Sequence, residues 1–234
     1  MATAAPDIAS PPRMSRNDQR LQTRQRILDA VLEIVVEDGM RAVRHRAVAE
    51  RAGVSLGSTT YHFTSIEELI TSAFDYWRSR RQLVDNPFYR QIVTLLAPYG
   101  EPGVPAGERP AVAARVLELS LGYLLDQVSR ERQDRIVELA FFHESMNSPA
   151  LRELVLDGWS AQQRFLEQVH RQLGSDSPQE DALLTSMLFR QWEQTAVMSD
   201  AGDLDPMAIE RSLRRHMSLC FGQPLPAVAV QGLE

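Results

Sequence analysis

The stretch from Gly53 to Phe63, GVSLGSTTYHF, places small hydroxyl residues beside one tyrosine and one histidine. A helix that packs inside a core would carry leucine and isoleucine, whereas short polar side chains let a helix backbone come close to another molecule. The hydroxyls of Ser58 and Thr60 suit hydrogen bonds to base edges, and Leu56 suits contact with a thymine methyl group. The stretch therefore predicts a helix that lies in the major groove of DNA.

Residues that can contact phosphate flank this groove helix. Tyr61 and His62 can reach phosphate oxygens, which fixes orientation without reading the base sequence. Arg44, His45 and Arg46 begin the preceding helix, where positive charge beside exposed helical amides favours phosphate binding. The alternative is a polar loop between two helices. The predicted DNA-binding residues are Arg44, His45, Arg46, Ser55, Leu56, Gly57, Ser58, Thr60, Tyr61 and His62.

Helical segments position the stretch. Apolar residues recur at helical spacing over 27–35, which predicts a first helix from about residue 23 to Asp38. A second helix is predicted from about His45 to Ala52, Gly53 supplies the turn, and Ser55 caps the third helix. Helix, glycine turn and short helix is the sequence form of a helix-turn-helix.

Two further expectations concern these helices. Thr59 lies on the face opposite the predicted base contacts and is expected to turn into the core. Arg20, Arg24 and Arg26 of the first helix are a second candidate set for phosphate contacts, with an ordinary solvent-exposed face as the alternative.

A fourth helix is predicted over 65–84. Ser65 and Glu68 have the spacing of a capping box, in which each side chain bonds to the backbone amide of the other residue. Asn86–Pro87 is expected to break or kink this helix, and 98–110 is predicted to be a loop. The side chains expected to face inward are Ile66, Leu69, Ile70, Ala73, Phe74 and Trp77.

The remainder of the chain also has helical periodicity, and strand signals are absent. We therefore predict an all-α protein with two domains, at 20–64 and 65–222, between a disordered tail at 1–19 and a loose tail at 223–234. The later helices are predicted at about 111–131, 134–146, 149–173, 178–200 and 206–221.

Composition limits the other classes of protein. The 234 residues carry a net charge of −6, but residues 1–81 contain 12 arginines against 10 acids, and 82–234 contain 13 against 21. Only the N-terminal third is therefore suited to face a polyanion. The lack of a long apolar run or a signal peptide predicts a cytoplasmic protein without a membrane partner.

An enzyme is the main alternative class, and the sequence disfavours it. The chain has no HExxH, GxSxG, P-loop or dinucleotide fingerprint, and no metal site or cofactor is predicted. Cys220, the single cysteine, is expected to be a small core residue. The histidines are scattered without paired metal-ligand spacing: His45, His62, His143, His170 and His216.

Residues 27–74, ILDAVLEIVVEDGMRAVRHRAVAERAGVSLGSTTYHFTSIEELITSAF, resemble the N-terminal domain of the TetR family of bacterial transcriptional regulators. AGVS, YHF and S-x-E-E-L at this spacing are specific in combination. The resemblance implies an all-helical homodimer in which three N-terminal helices bind DNA. It also implies a C-terminal domain whose last two long helices pair into a four-helix bundle, and repression relieved by a small ligand.

The chain departs from the family pattern at four positions. Ile66 stands where many members have lysine, so one phosphate contact is lost. Thr59 and Thr60 replace the usual leucine and tyrosine of the recognition helix, and Arg44 replaces a frequent threonine cap. The resemblance therefore implies DNA binding but not the identity of the operator.

A dimeric reader must present its two recognition helices to successive major grooves, about 34 Å apart. The helices at 178–200 and 206–221 are the best candidates for the dimer interface. The alternative for their apolar residues is the core of a single chain. The predicted interface residues are Leu184, Met187, Leu188, Trp192, Ile209, Leu213 and Met217.

A ligand pocket in a helical bundle is apolar with a few polar groups, and the middle helices carry such a mixture. For each of its polar residues, a satisfied core or surface role is the alternative. Arg190 stands out, because a buried arginine needs an anionic partner, either Glu138 or a ligand. The predicted ligand-binding residues are Phe74, Trp77, Tyr123, Glu138, Phe142, His143, Trp159, Gln163 and Arg190.

Together these observations predict a repressor that binds a palindromic operator as a dimer and is released by a hydrophobic or amphipathic small molecule. A helical protein-interaction module, a ligand-independent regulator and an activator remain open alternatives.

Overall fold

A computed structural model describes residues 15–81, 85–199 and 204–228, and over these residues the chain is helical without strands. The all-α prediction is confirmed. A 3-10 turn at Met40–Ala42 follows the first helix. The helices are α1 (Arg16–Glu37), α2 (His45–Ala52), α3 (Leu56–His62), α4 (Ile66–Ser79), α5 (Pro87–Leu96), α6 (Arg109–Ser129), α7 (Arg132–Ser145), α8 (Pro149–Gln172), α9 (Pro178–Met198) and α10 (Pro206–Cys220).

The first helix begins seven residues before the predicted start, so residues 16–19 are not part of a tail. Ser15 and Asp18 form a capping box, in which the Ser15 hydroxyl accepts from the Asp18 amide at 3.1 Å. The apolar pattern missed this turn because the α1 residues before Ile27 are polar, apart from the exposed Leu21, and largely exposed. Residues 1–14 of the predicted tail lie outside the described residues.

The N-terminal cap of α4 differs from the prediction by one residue. Ser65 accepts from the Glu68 amide at 3.0 Å as expected. The Glu68 carboxylate, however, accepts from the Thr64 amide at 2.7 Å and the Thr64 hydroxyl at 2.6 Å. Ile66, contrary to the expectation that it faces inward, is 38% exposed.

Helix α4 ends at Ser79, before the predicted end at residue 84, and residues 82–84 of that prediction lie outside the described residues. The helix after it is absent from the prediction. Asn86 then caps α5 by accepting from the Phe88 amide at 2.9 Å, and Pro87 occupies the first turn, where a missing amide costs nothing. The Asn-Pro pair starts a new helix here and does not kink an old one.

Two groups of buried residues form the core. The first joins α1, α2 and α4 to α7 and α8, and in it Phe74 contacts Phe141 with 5.1 Å between ring centroids. The second joins α5, α6, α8, α9 and α10. The predicted loose tail contributes to the second group, since Leu225 is buried and its amide donates to the Ser218 hydroxyl. Residues 223–228 therefore pack against α10.

Candidate nucleic-acid interface and adjoining cavity

A glycine and an arginine fix the turn between α2 and α3. Gly53 has φ 61° and ψ 40°, a left-handed conformation that only glycine adopts at low cost. Arg26 of α1 donates to the carbonyls of Ala52 at 2.6 Å and Gly53 at 3.2 Å. This guanidinium therefore holds the turn against α1, which favours a structural role for Arg26 over the suggested phosphate contact.

Helix α3 has a buried side and a capped start. Thr59 is fully buried, as expected, and donates its hydroxyl proton to the Leu56 carbonyl at 2.8 Å. Ser55 accepts from the Ser58 amide at 3.1 Å, and the two serine hydroxyls lie 2.8 Å apart. Because Ser58 is half-buried and engaged with the cap, it is less available to a base edge than its residue type suggests.

The outer side of α3 is open to solvent. Tyr61 is 71% exposed and Leu56 is 50% exposed, and Gly57 and Thr60 lie on the same exposed surface. A Cβ added at Gly57 would meet only the Ser55 hydroxyl, at 3.8 Å. The fold therefore does not require glycine at this position.

Arginines of α1 lie beside α3. The Arg20 guanidinium lies 5.9 Å from the Tyr61 ring centroid, and that of Arg24 lies 5.1 Å from the Phe63 ring centroid. Burial, followed by the charges of Arg20 and Arg24, lowers the pKa of His62 below its ordinary value of 6.5. His62 is therefore largely neutral at pH 7 in the free protein.

The arginines at the two ends of α2 differ in whether they form ion pairs. At its start, Arg44 and Arg46 are exposed and form no ion pair with the described residues, and Arg44 provides no side-chain cap. At its end, Arg51 pairs with Glu37 at 2.8 Å and with Asp38 at 3.4 Å. Uncompensated positive charge thus lies beside free helical amides at the α2 N-terminus, which is a suitable environment for phosphate.

His45 begins α2 with one unsatisfied ring nitrogen. Its Nδ1 is buried and has no hydrogen-bond partner among the described residues. With its ring half-buried, His45 is positioned as part of the helix start rather than as a freely exposed side chain.

A cavity of about 890 Å³ lies beside α4 and between α5, α6, α7, α8 and α9. Two predicted ligand-binding residues lie outside it, because His143 is exposed on α7 and the Gln163 side chain donates to the Gln179 carbonyl at 3.2 Å. The neighbouring Gln162 lines the cavity instead and donates to the Tyr89 hydroxyl. The predicted residues that line the cavity are Phe74, Trp77, Tyr123, Glu138, Phe142, Trp159 and Arg190.

A buried charge cluster in the cavity was missed by sequence reasoning. Arg135 forms an ion pair with Glu138, and its Nη1 lies 3.7 Å from Glu193 Oε1. Burial raises the pKa of Glu193 to about 7, against the opposing charge of Arg135. Charged residues on α7 and α9 ordinarily indicate a solvated face, so only the packing of these helices could identify the cluster.

The Arg190 guanidinium contacts an aromatic ring and not the predicted carboxylate of Glu138. It lies 4.1 Å from the Trp159 ring centroid, a cation–π contact, while Glu138 pairs with Arg135. The aromatic face therefore takes the place of the expected carboxylate.

The predicted dimer interface divides into buried and exposed residues. Ile209, Leu213 and Met217 are at most 5% exposed within one chain, so their α10 face packs in the core of a single chain, which is the alternative given for them. Trp192 and Leu188 are partly buried against the same core, and Trp192 donates to the Ser212 hydroxyl. Leu184 and Met187 of α9 remain exposed, at 52% and 55%.

None of the helices in the described parts of the chain is long and apolar enough to cross a membrane.

The geometry of α1–α4 defines a helix-turn-helix, and the later helices surround the cavity. Residues 27–73 match the family described as "Bacterial regulatory proteins, tetR family". This match covers about a fifth of the chain, so the likeness to the TetR family is established for the helix-turn-helix part within α1–α4.

Curated relatives match the N-terminal part of the chain. The HTH-type transcriptional repressor KstR of Rhodococcus jostii is 45% identical over 60 residues, which are 26% of this chain and 28% of KstR. KstR of Mycolicibacterium smegmatis is 44% identical over 57 residues, or 24% of this chain and 28% of the relative. The match spans less than a third of the length of these relatives.

Solved structures extend the fold likeness to most of the chain. A transcriptional regulator from Rhodococcus sp. Rha1 has a TM-score of 0.62 at 23% identity, covering 85% of this chain and 96% of that one. A regulator from Saccharomonospora viridis in complex with choline has 0.60 at 20%, covering 85% and 96%. The multidrug binding protein EbrR with imidazole has 0.57 at 22%, covering 94% and 100%.

The buried carboxyl in the cavity gives a prediction about pH. Because the pKa of Glu193 is raised from 4.5 to about 7, the folded state binds more protons than the unfolded state between these values. The stability contributed by this group is therefore lost as pH rises through 7. Glu193→Gln should remove this loss. Between about pH 5 and about pH 8, the free energy of unfolding measured by urea denaturation should therefore fall further in wild type than in Glu193→Gln, by about 1 kcal/mol or more.

Glu118→Gln is the matched control, since Glu118 lines the cavity on an exposed part of α6. Identical pH dependence in wild type and Glu193→Gln would contradict the prediction.

Proposed function

We propose that this protein is a transcriptional repressor that binds operator DNA as a homodimer and is released when a small amphipathic molecule enters its cavity. The observation that carries the DNA-binding part is the surface formed by the outer side of α3 and the start of α2. KstR, similar over this part of the chain, is named as a repressor, which supports the same role here.

Gly57 gives an argument for contact with DNA that does not depend on likeness. Glycine disfavours a helix, and among the described residues only the Ser55 hydroxyl comes within 4 Å of the position that a Cβ would take. A glycine that the fold does not need is explained when another molecule approaches the backbone closely. The major groove wall fits this position, because Leu56, Thr60 and Tyr61 are exposed around it.

The roles of the side chains depend on their exposure. Leu56 and Thr60 can reach base edges, while Tyr61 and Arg20 are placed for phosphate. Arg44 and Arg46 add phosphate contacts at the start of α2. Ser55 acts through the helix cap, and Ser58, His45 and His62 are half-buried supports whose contacts with DNA depend on a small rearrangement.

The dimer would form through the exposed apolar surface of α9. Leu183, Leu184 and Met187 are each more than half exposed, although they are large apolar residues on a helix that is otherwise well packed. Burial of such a patch against its copy removes apolar area from water. This places the proposed interface on the opposite side of α9 from the α10 core.

The effector would bind in the cavity with its apolar part against Phe142, Trp159 and Phe189 and its polar group near Arg135 and Glu193. Two proteins with this fold hold small molecules, choline in one and imidazole in the other. An internal ion pair beside aromatic walls suits an amphipathic compound, because its polar group can join the cluster without leaving a charge unpaired.

Helix α4 would couple the cavity to the DNA surface. Trp77, Arg78 and Arg81 line the cavity, and Arg78 also binds Asp157 of α8 at 2.7 Å. At the other end of α4, Glu67 accepts from the Ser148 hydroxyl that caps α8, at 3.0 Å. A ligand that moves α7 or α8 would therefore move α4 and change the spacing of the two recognition helices.

The first experiment measures DNA binding by fluorescence anisotropy, using a duplex selected by wild-type protein from a random pool. Gly57→Ala should raise the free energy of unfolding by about 0.5 kcal/mol, because alanine favours a helix, yet weaken specific binding at least tenfold. Gly122→Ala, an exposed helical glycine of α6 with open space around it, should leave DNA binding unchanged. Failure to select any sequence, or equal binding by Gly57→Ala, would contradict the DNA surface.

The dimer is tested by light scattering after size exclusion. Met187→Arg should convert a wild-type dimer into a monomer, because it places a charge in the proposed apolar contact. Val93→Arg, at a comparably exposed apolar position of α5, should leave the dimer intact. A wild-type monomer, or a dimer that survives Met187→Arg, would show that the interface lies elsewhere or does not exist.

Effector control is tested with a panel of amphipathic compounds that includes choline. A compound that binds wild type and binds Trp159→Ala at least tenfold more weakly occupies the cavity. This compound should lower the affinity of the protein for the operator. Bound operator should lower the affinity of the protein for the compound by the same factor. Cavity binding with unchanged operator affinity would favour the ligand-independent regulator.

A further inference from the structure

A second cluster of chemically reactive side chains lies away from both the DNA surface and the cavity. It is formed where the last turns of α8 and α10 meet the first turn of α9. His170, Asp181 and Cys220 each offer one ligand atom, and these three atoms all lie within 4.8 Å of one another. His216 adjoins them, with its ring nitrogens 3.6 Å and 3.8 Å from Cys220 Sγ.

One threonine hydroxyl contacts both histidines. Thr185 Oγ1 lies 2.9 Å from the Asp181 carbonyl oxygen and 2.8 Å from Nε2 of both His170 and His216. Because a hydroxyl has one proton to donate, at least one of the two rings must donate to it from Nε2–H. A neutral ring that donates from Nε2 has an unprotonated Nδ1, which can bind a metal.

The second observation is an unsatisfied atom. His170 is 4% exposed, and its Nδ1 is buried without a hydrogen-bond partner among the described residues. Buried polar atoms are nearly always paired, so an electron pair left free here is one that a cation would satisfy.

Outer contacts also resemble those that support metal ligands. The Asp181 carboxylate accepts from the Ser175 hydroxyl at 2.6 Å, which orients it, and the Thr185 hydroxyl lies at hydrogen-bond distance from Nε2 of the His170 imidazole. Histidine ligands commonly donate their second nitrogen to such a partner, which fixes the ring. The arrangement thus has first ligands and the groups that orient them.

We propose that His170, Asp181 and Cys220 bind one Zn²⁺ per chain. A thiolate, an imidazole and a carboxylate are ligands typical of zinc, with bonds of about 2.0–2.3 Å, and they leave the fourth tetrahedral position to water. Ligand atoms in such a set lie about 3.5 Å apart, so the side chains must close by roughly 1 Å.

Binding exchanges a proton for the metal. The thiolate is the form of cysteine that binds metals, so the Zn–S bond forms as the Cys220 thiol proton leaves to solvent. Cys220 is partly exposed, which gives the ion and the proton a path.

The site would fix three helices to one another. Its ligands come from the end of α8, the start of α9 and the end of α10, so the metal would tie the apolar α9 and α10 core to the helix that lines the cavity. Zinc should therefore raise the melting temperature of the protein by linkage.

The test uses the full chain after treatment with a chelator, with Zn²⁺ and Co²⁺ as probes. Calorimetry should give one Zn²⁺ per chain, and Co²⁺ should give the near-ultraviolet thiolate charge-transfer band, which only Cys220 can supply. Cys220→Ser should abolish the band, and Asp181→Asn should weaken Zn²⁺ binding at least tenfold. His143→Ala, which removes an exposed histidine, is the matched control and should bind as wild type.

Three outcomes would overturn the proposal. Calorimetry could show no stoichiometric Zn²⁺ binding, or the Co²⁺ spectrum could lack the thiolate band. Zn²⁺ could also raise the melting temperature equally in wild type and Cys220→Ser. Circular dichroism of the metal-free variants shows whether they fold, so that loss of binding is not confused with unfolding. DNA binding is measured separately, so failure of the zinc site leaves the proposed regulator unaffected.

Discussion

The packing of α4 against α7 and α8 is the interaction on which the rest of the structure depends. Phe74 and Trp77 stack 5.8 Å apart, and Phe74 contacts Phe141 of α7. These aromatic side chains belong to the same buried group as the α1 and α2 core, so the helix-turn-helix has no separate boundary of its own. Because close-packed interiors transmit displacement instead of absorbing it, α4 would carry a change in α7 or α8 to the proposed DNA surface.

Polar contacts fix the orientation of α4 relative to α7 and α8. Asp134 of α7 accepts from Arg81 Nε at 3.0 Å and from Trp77 Nε1 at 3.5 Å, and Arg78 reaches α8. The wall of the cavity is thus built from the same residues that hold the reader domain. Burial of the Arg135, Glu138 and Glu193 cluster beside this wall gives the cavity charges whose pairing a bound molecule can alter.

Sequence reasoning was most successful where local chemistry dominates. Gly53 at the turn, Ser55 at the start of α3 and the inward Thr59 are consequences of backbone conformation, capping and helical periodicity, and all three are found as expected. The start of α1 was missed because Ser15 precedes a segment with few apolar residues, and α5 was missed because Asn86–Pro87 was interpreted as an interruption of the fourth helix and not as a helix start. A cap is a local signal, but it indicates a helix only in combination with the residues after it.

The sequence by itself determined the all-α class, the helix-turn-helix and the surface of α3, because each depends on residues within a few turns of one another. Only the tertiary structure decided which face of α9 and α10 is buried, since Ile209 and Met187 are both apolar and differ in what packs against them. It also brought together Arg135 with Glu193, and His170 with Cys220, across about 50 residues of chain or more. Helical periodicity gives the direction of a side chain on its own helix, whereas its partner depends on how separate helices pack.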